Sequence, residues 1–274
     1  PPMGPDAESE GPARNVFPAA NGRPPSAASI KIGAMNDREV FESTLQRAAD
    51  ALHLPLQDHH LARLWRHFNL VVEANRSFNL TRITDPADAA LKHYADSLTL
   101  LATPWVRRDV SLTLLDVGTG AGFPAVPLAV VCESWRITAI DGTGKKARFV
   151  AEAAADLGLV NLAARHIRAA DLARQAGGRT SRSPVRQEPG EQFDLIVMRA
   201  VTQIAKGIEE VRSLLAPAGA VVFYKSGDLS DEELTAGTAQ ARRRGLTEVS
   251  IHTLQLPAPA GPLERRLVRY ARQP

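Results

Sequence analysis

The chain has 274 residues, 44% of them hydrophobic and 23% charged, the make-up of a globular protein with one sizeable core and a smaller appended unit. No apolar run approaches the roughly 20 residues of a membrane span, and no basic, apolar and small-residue succession marks a signal peptide; the cytoplasm is the expected compartment. The net charge is only +3, so an anionic partner has to be argued from local clusters, and the single Cys132 permits no intrachain disulfide and reads as a packing residue.

The chain opens on Pro1, the start expected of a fragment or a processed chain, and residues 1–34 are rich in Pro, Ala, Gly and Ser without apolar periodicity. That composition predicts a disordered tail that is dispensable for chemistry. Residues 35–108 come next as a helical cap. Val40, Phe41, Leu45 and Ala48, then Leu61, Leu64, Trp65, Phe68 and Val72, recur at intervals of three and four, as amphipathic helices require. Pro55, Pro86 and the stretch NRSFNLTRITDP break the pattern, with Asp85 or Asp88 as N-cap of the next helix.

From 109 to 274 strands and helices alternate, which predicts a doubly wound α/β domain. The expected elements are strand 112–117, helix 124–132, strand 135–140, helix 144–157 and strand 161–167. Strand 193–198, helix 203–215, strand 219–225 and helix 230–244 come after them, then two strands near 246–254 and 264–271. The last two have no helix between them and should pair as an antiparallel hairpin at one edge. The polar segment 177–190 reads as a mobile loop.

The string LTLLDVGTGAGFP at 112–124 carries most of the functional information. An apolar run ends in Asp116, with Gly118, Gly120 and Gly122 after it, so a buried strand turns sharply into a helix where a ligand approaches the backbone. The spacing is not the GxGxxG of a dinucleotide fold. A carboxylate at that mouth repels a pyrophosphate and suits a cationic amino-acid group, such as the ammonium of S-adenosyl-L-methionine. A second strand ends in Asp141, which can accept hydrogen bonds from ribose hydroxyls. Three basic clusters exist: Lys145, Lys146 and Arg148; Arg179, Arg182 and Arg186; Arg242, Arg243 and Arg244. Only the first opens the helix after Asp141, on the strand-end rim where an open α/β sheet binds ligands.

NRSFNLTRITDP, KHYADSL, LLDVGTGAGFPAVPLA, AIDGTGKKARFV and FDLIVMRAV occur in that order, and together they resemble the bacterial 16S rRNA guanine-N7 methyltransferases of the RsmG, or GidB, family over about residues 40–271. The resemblance implies a Rossmann-like S-adenosylmethionine-dependent fold with a C-terminal antiparallel hairpin and an N-terminal helical cap. It also implies methylation of guanine N7 in RNA of the small ribosomal subunit, by a monomer, with no catalytic base and no metal. By the same resemblance the cofactor residues are Gly118, Gly120 and Phe123 of the first loop with Asp116 before it, then Asp141, Gly142 and Thr143, then Ala169, Ala170 and Arg199.

Asn75, Arg76, Asn79, Thr81, His93 and Asp96 match positions of the family's cap. His93 and Asp96 are expected to order the cap over the cofactor, and Arg76, Lys145, Lys146 and Arg148 to hold RNA phosphates. Arg199 is expected at the reaction mouth on cofactor carboxylate, phosphate or guanine O6, the alternative being an ion pair with Asp116 or Asp194. The chain departs from the family pattern at RAADL after the third strand, at MRA in the fourth, at FYKSG in the fifth and in the length of the 177–190 segment. Two other readings stand beside this one: a methyltransferase acting on a small molecule or protein, and a non-catalytic RNA-binding assembly factor.

Overall fold

The structure, a computed structural model, describes residues 36–177, 191–227 and 229–272; the tail 1–34 and Arg179, Arg182 and Arg186 lie outside the described residues. Asn36 opens helix α1 (Asp37–Ala51) with a reciprocal cap, its side chain accepting from the Glu39 N–H while the Glu39 carboxylate accepts from the Asn36 N–H, each at 3.0 Å. Phe41, Leu45 and Ala48 line one face of α1, and Leu64, Phe68 and Val71 one face of α2 (Asp58–Asn75); all are buried. Phe41 ties both helices to the next helical segment, its ring 5.4 Å from Phe68 and 4.9 Å from Tyr94.

Asp85 caps α3 (Pro86–Ala89), accepting from the Asp88 N–H at 2.8 Å. The chain then widens into a π-helical turn, Ala90–Ala95, before α4 (Asp96–Leu98) and a 3₁₀ turn, Thr99–Ala102. A π-turn inserts an extra residue into the helical phase. Here it delivers both His93 and Asp96 to the cavity beside the sheet.

Strands β1 (Thr113–Val117), β2 (Arg136–Asp141), β3 (Leu162–His166), β4 (Phe193–Arg199) and β5 (Leu215–Ser226) pair in parallel. Strands β6 (Glu248–Leu256) and β7 (Leu263–Ala271) form an antiparallel pair, and β7 lies between β6 and β5 in the order β3-β2-β1-β4-β5-β7-β6. The terminal hairpin is therefore where the missing crossover helix places it. The order reverses between β1 and β4, and a doubly wound sheet opens a crevice at such a point, at the carboxyl ends of its strands.

Helices α5 (Ala125–Val131) and α6 (Gly144–Asp156) cover one face together with α1 and α2, and α7 (Ala169–Gly177), α8 (Ile204–Val211) and α9 (Asp231–Arg243) cover the other. Strand alternation assigns the faces. Leu195 and Val197 of β4 enter the cluster shared with the cap, Ile196 and Met198 the opposite cluster. The same period of two puts Asp116, Arg199, Tyr224 and Arg265 on the cap side.

Three elements differ from the sequence expectation. Helix α7 is not anticipated between the third and fourth strands; Ala169 and Leu172 are buried on the α8 side with Ala173 and Ala176 packed against them, an apolar face made mostly of alanines in a helix of nine residues. The expected helix 203–215 closes in a 3₁₀ turn, Arg212–Leu214, and β5 begins at Leu215 instead of 219. Pro217 and Gly219 suggest a break there, yet the strand continues through a register shift opposite Phe193 and Leu195.

Candidate active site

The glycine loop leaves β1 with the Gly118 and Thr119 N–H groups donating to the Ile140 carbonyl at 2.8 and 3.0 Å. Gly118 has φ +75°, and a Cβ there would stand 2.6 Å from a Val201 methyl, so both conformation and space demand glycine. Gly120, at φ +61°, faces open space, its nearest atom 4.0 Å from a built Cβ. Backbone is thus exposed to a ligand on the far side of Gly120.

Asp141 closes the loop from β2. Its carboxylate accepts from the Gly120 N–H at 3.0 Å and the Thr143 N–H at 2.7 Å. It thereby fixes both the first loop and the start of α6. Asp116 departs from the expected exposed carboxylate: it is wholly buried beneath the loop, accepting from the Ala125 N–H at 3.3 Å. Burial pushes its pKa up to about 6 against the opposing pull of the Thr119 side chain and the Arg199 guanidinium. Asp116 Oδ1 and Thr119 Oγ1 are both buried beneath the loop.

Above the loop sits Phe123. His93 stacks on its ring at 4.7 Å and 22°, and the Arg199 guanidinium lies over it at 5.2 Å from the ring centre, a cation–π contact. His93 Nε2 is 2.8 Å from Thr81 Oγ1. Asn75 Oδ1 accepts from the Leu80 and Thr81 N–H groups at 2.8 and 3.0 Å, so it shapes the segment that presents Thr81. Burial, with the Arg199 charge adding to it, lowers the His93 pKa to about 4. His67, which the sequence did not single out, is fully buried behind the loop on the Tyr94 hydroxyl at 2.9 Å, and burial takes its pKa to about 3. Both rings are neutral near pH 7. Asn79, one of the cap positions matched in the sequence, is exposed.

Arg199 makes neither of the ion pairs that stood as the alternative reading for it. Its guanidinium reaches the cap, donating to Asp96 Oδ2 at 2.9 Å, and Arg265 of β7 donates to Asp96 Oδ1 at 2.5 Å. Asp96 is a bridge between two cations. Arg265 was missed because 169 residues separate it from Asp96 and no local motif surrounds it. Asp194 instead accepts from Thr113 at the opposite end of β1, at 2.9 and 2.6 Å.

Three cavities meet at this edge. One of about 310 Å³ is lined by Gly118, Thr119, Gly120, Phe123, His93 and Arg199. Another of about 310 Å³ lies on the β2 side of the loop, against Gly118, Asp141, Gly142, Ile167, Ala169 and Ala170. The third, about 330 Å³, lies beyond Arg199 against β5 and β7. The first two bring together the expected loop, strand-end and third-strand residues, while Thr143 acts from the cap of α6 and Asp116 from beneath. Lys145 and Arg148 project exposed from the first turns of α6, with Lys146 half-buried. Phe78 packs on Phe149 at 6.5 Å, so the end of α2, with exposed Arg76, stands beside them; Arg76 also pairs with Glu73 at 2.7 Å. Arg242, Arg243 and Arg244 are exposed at the far end of α9, and Arg244 is paired with Glu209. Cys132 is buried, its thiol pushed up to about 12 by burial, and is no nucleophile.

A sheet of this order, with glycine loop, strand-end acid and crevice at the switch point, defines the class: an S-adenosylmethionine-dependent methyltransferase. The O-methyltransferase of Bacillus cereus, solved in complex with SAH, has the same fold, with a TM-score of 0.51 at 17% identity over 86% of this chain and 100% of that one. Residues 60–264 match the GidB family model, described as rRNA small subunit methyltransferase G. Proteins named ribosomal RNA small subunit methyltransferase G are 36% identical over 191 residues in Solibacter usitatus (70% of this chain, 82% of that protein) and 34% identical over 219 in Leuconostoc citreum (80% and 85%). That of Deinococcus radiodurans is 37% identical over 213 residues (78% of each). The chain belongs to the rRNA small subunit methyltransferase G family. The residues present fit its cofactor: the backbone at Gly120 is open, and the small side chains of Ala169 and Ala170 leave room beyond Asp141.

Proposed function

We propose that this protein methylates N7 of a guanine in 16S RNA of the small ribosomal subunit. S-adenosylmethionine, when bound, supplies an electrophilic methyl group. Guanine N7 offers an in-plane lone pair and carries no proton, so the protein's task is alignment, which can contribute about 7–11 kcal/mol of barrier lowering. In this reading Gly118 and Gly120 hold the amino-acid end of the cofactor, Asp141, Gly142 and Thr143 the ribose side, and Ala169 and Ala170 the base. Phe123, clamped by His93, and Arg199, clamped by Asp96, fix the mouth.

The observation that carries the proposal is the glycine-loop cavity with Arg199 at its edge; in this reading Arg76 after α2 and Lys145, Lys146 and Arg148 of the first turns of α6 form its basic rim. That rim suits RNA phosphates. The His93 ring at the mouth is neutral and already engaged by Thr81, consistent with a reaction that removes no proton. Residues 35–108 act as the cap and 109–274 as the catalytic domain, in a cytoplasmic monomer.

The test is incubation with methyl-labelled cofactor and small subunits from a strain lacking this modification, then mapping of the label. Label on one guanine N7 is expected. Label on ribosomal protein, or none on RNA despite cofactor binding, would overturn the proposal in favour of a protein or small-molecule substrate.

A further inference from the structure

The cavity beyond Arg199 is not needed to hold the cofactor. Its volume of about 330 Å³ lies at the small end of ligand sites, about 300–1,000 Å³, as a single flat base requires. It shares Asp96, Arg199 and Ala200 with the glycine-loop cavity. Ala200 turns out of β4 at φ +56°, a left-handed conformation that costs a non-glycine residue energy and is found where function demands it.

The two ends of this cavity differ in the groups they offer, a pair of guanidinium donors with Asp96 between them at one end and a carboxylate with Lys225 beside it at the other. At the shared end stand Arg199 and Arg265, their side chains only 15% and 17% exposed. At the other stands Glu233, in the first turn of α9, its carboxylate accepting from Lys225 Nζ at 2.6 Å and from the Ile204 N–H at 3.0 Å. Lys225 and Ile204 hold that carboxylate in place, and the Glu233 side chain is 22% exposed. Leu229 supplies an apolar wall.

Guanine has the matching asymmetry. N7 and O6 are acceptors on one edge, and N1–H and the N2 amine are donors on the opposite edge. We infer that this cavity receives the guanine ring, with O6 toward the guanidinium end and the N1–H and N2–H donors toward Glu233, leaving N7 facing the glycine-loop cavity. Glu233 is then a specificity-determining residue. Adenine in the same pose would turn its N1 lone pair to the carboxylate and its amino group to the arginines. The inference rests on the proposed guanine-N7 activity.

The experiment is a double substitution across enzyme and RNA. Wild-type and Glu233→Gln enzymes are compared on subunits carrying guanine, or inosine, which lacks the N2 amine, at the nucleotide the wild type methylates. With guanine, Glu233→Gln is expected to lower kcat/KM about 10- to 100-fold, from the worth of one bidentate base contact, with cofactor affinity unchanged by calorimetry. With inosine the wild type should lose part of that factor, and Glu233→Gln should cost less on inosine than on guanine, because only the N1–H contact is left for it to weaken. Losses that multiply independently would show that Glu233 does not touch the base and would overturn the inference. A folding or purely structural defect would appear as weakened cofactor binding, and Lys225→Met, which frees the carboxylate without deleting it, should give a smaller loss with guanine. Absence of N7 methylation by the wild type would refute the parent reading instead.

Discussion

Replacing Asp96 by alanine leaves Arg199 and Arg265 facing each other without the anion between them. They bind opposite oxygens of one carboxylate, at 2.9 and 2.5 Å, so the guanidiniums stand about 6 Å apart and repel by about 3 kcal/mol at an effective dielectric of 20. Breaking a buried ion pair costs about 3–5 kcal/mol. The Asp96 side chain is 8% exposed and its partners somewhat more, so water relieves part of this and the lower figure, about 3 kcal/mol, is the expectation. At about 2–4 °C per kcal/mol for a domain of this size, Tm should fall by about 6–12 °C. Thermal and urea unfolding of Asp96→Ala, Arg265→Ala and the double variant check it. Arg265→Ala should be harmful in the wild type and relieve strain in the Asp96→Ala background. A Tm change under about 2 °C, or equal effects of Arg265→Ala in both backgrounds, would refute the bridge.

Gly118→Ala puts a methyl 2.6 Å from Val201 at φ +75° and should weaken cofactor binding at least about 10-fold, or about 1.4 kcal/mol, by calorimetry. Asp116 has a folded pKa raised to about 6, so ionising it opposes folding: the penalty is absent below the unfolded value near 4 and complete above about 6, where it amounts to about 3 kcal/mol. Asp116→Asn should therefore stabilise the cofactor-free protein at pH 8 by about 1–3 kcal/mol and have no effect at pH 3.5, as urea midpoints would show. Lys145→Ala with Lys146→Ala should weaken RNA binding and lower the salt slope by roughly 1.5; unchanged affinity and slope would remove both from the interface.

The parts of the site written in contiguous residues were legible in the sequence. The run from Leu114 to Phe123 announces strand, turn and helix through glycine spacing, and Asp141 is marked by ending an apolar strand. What stayed hidden depends on long-range geometry. Nothing near Arg265 says that it meets Asp96, and the burial of Asp116 comes from the packing of α5 over β1, which makes it a loop anchor. Arg199 was found as a position at the end of β4, but its pairing with Asp96 was not, because a π-turn in the cap, which periodicity does not reveal, brings Asp96 to it.

The order of strands constrains how the chain is assembled as it is synthesised. β6 is made before β7 yet pairs only with β7, so it has no place in the sheet until its successor emerges. Meanwhile the free edge of β5 waits open, with Tyr224 and Lys225 uncovered by their eventual neighbours Leu267 and Arg266. When β7 pairs with β5 it brings Arg265 to Asp96 with it. A nascent chain can thus shape its glycine loop early while the Asp96 bridge closes last, which separates the birth of the cofactor cradle from the birth of a working enzyme.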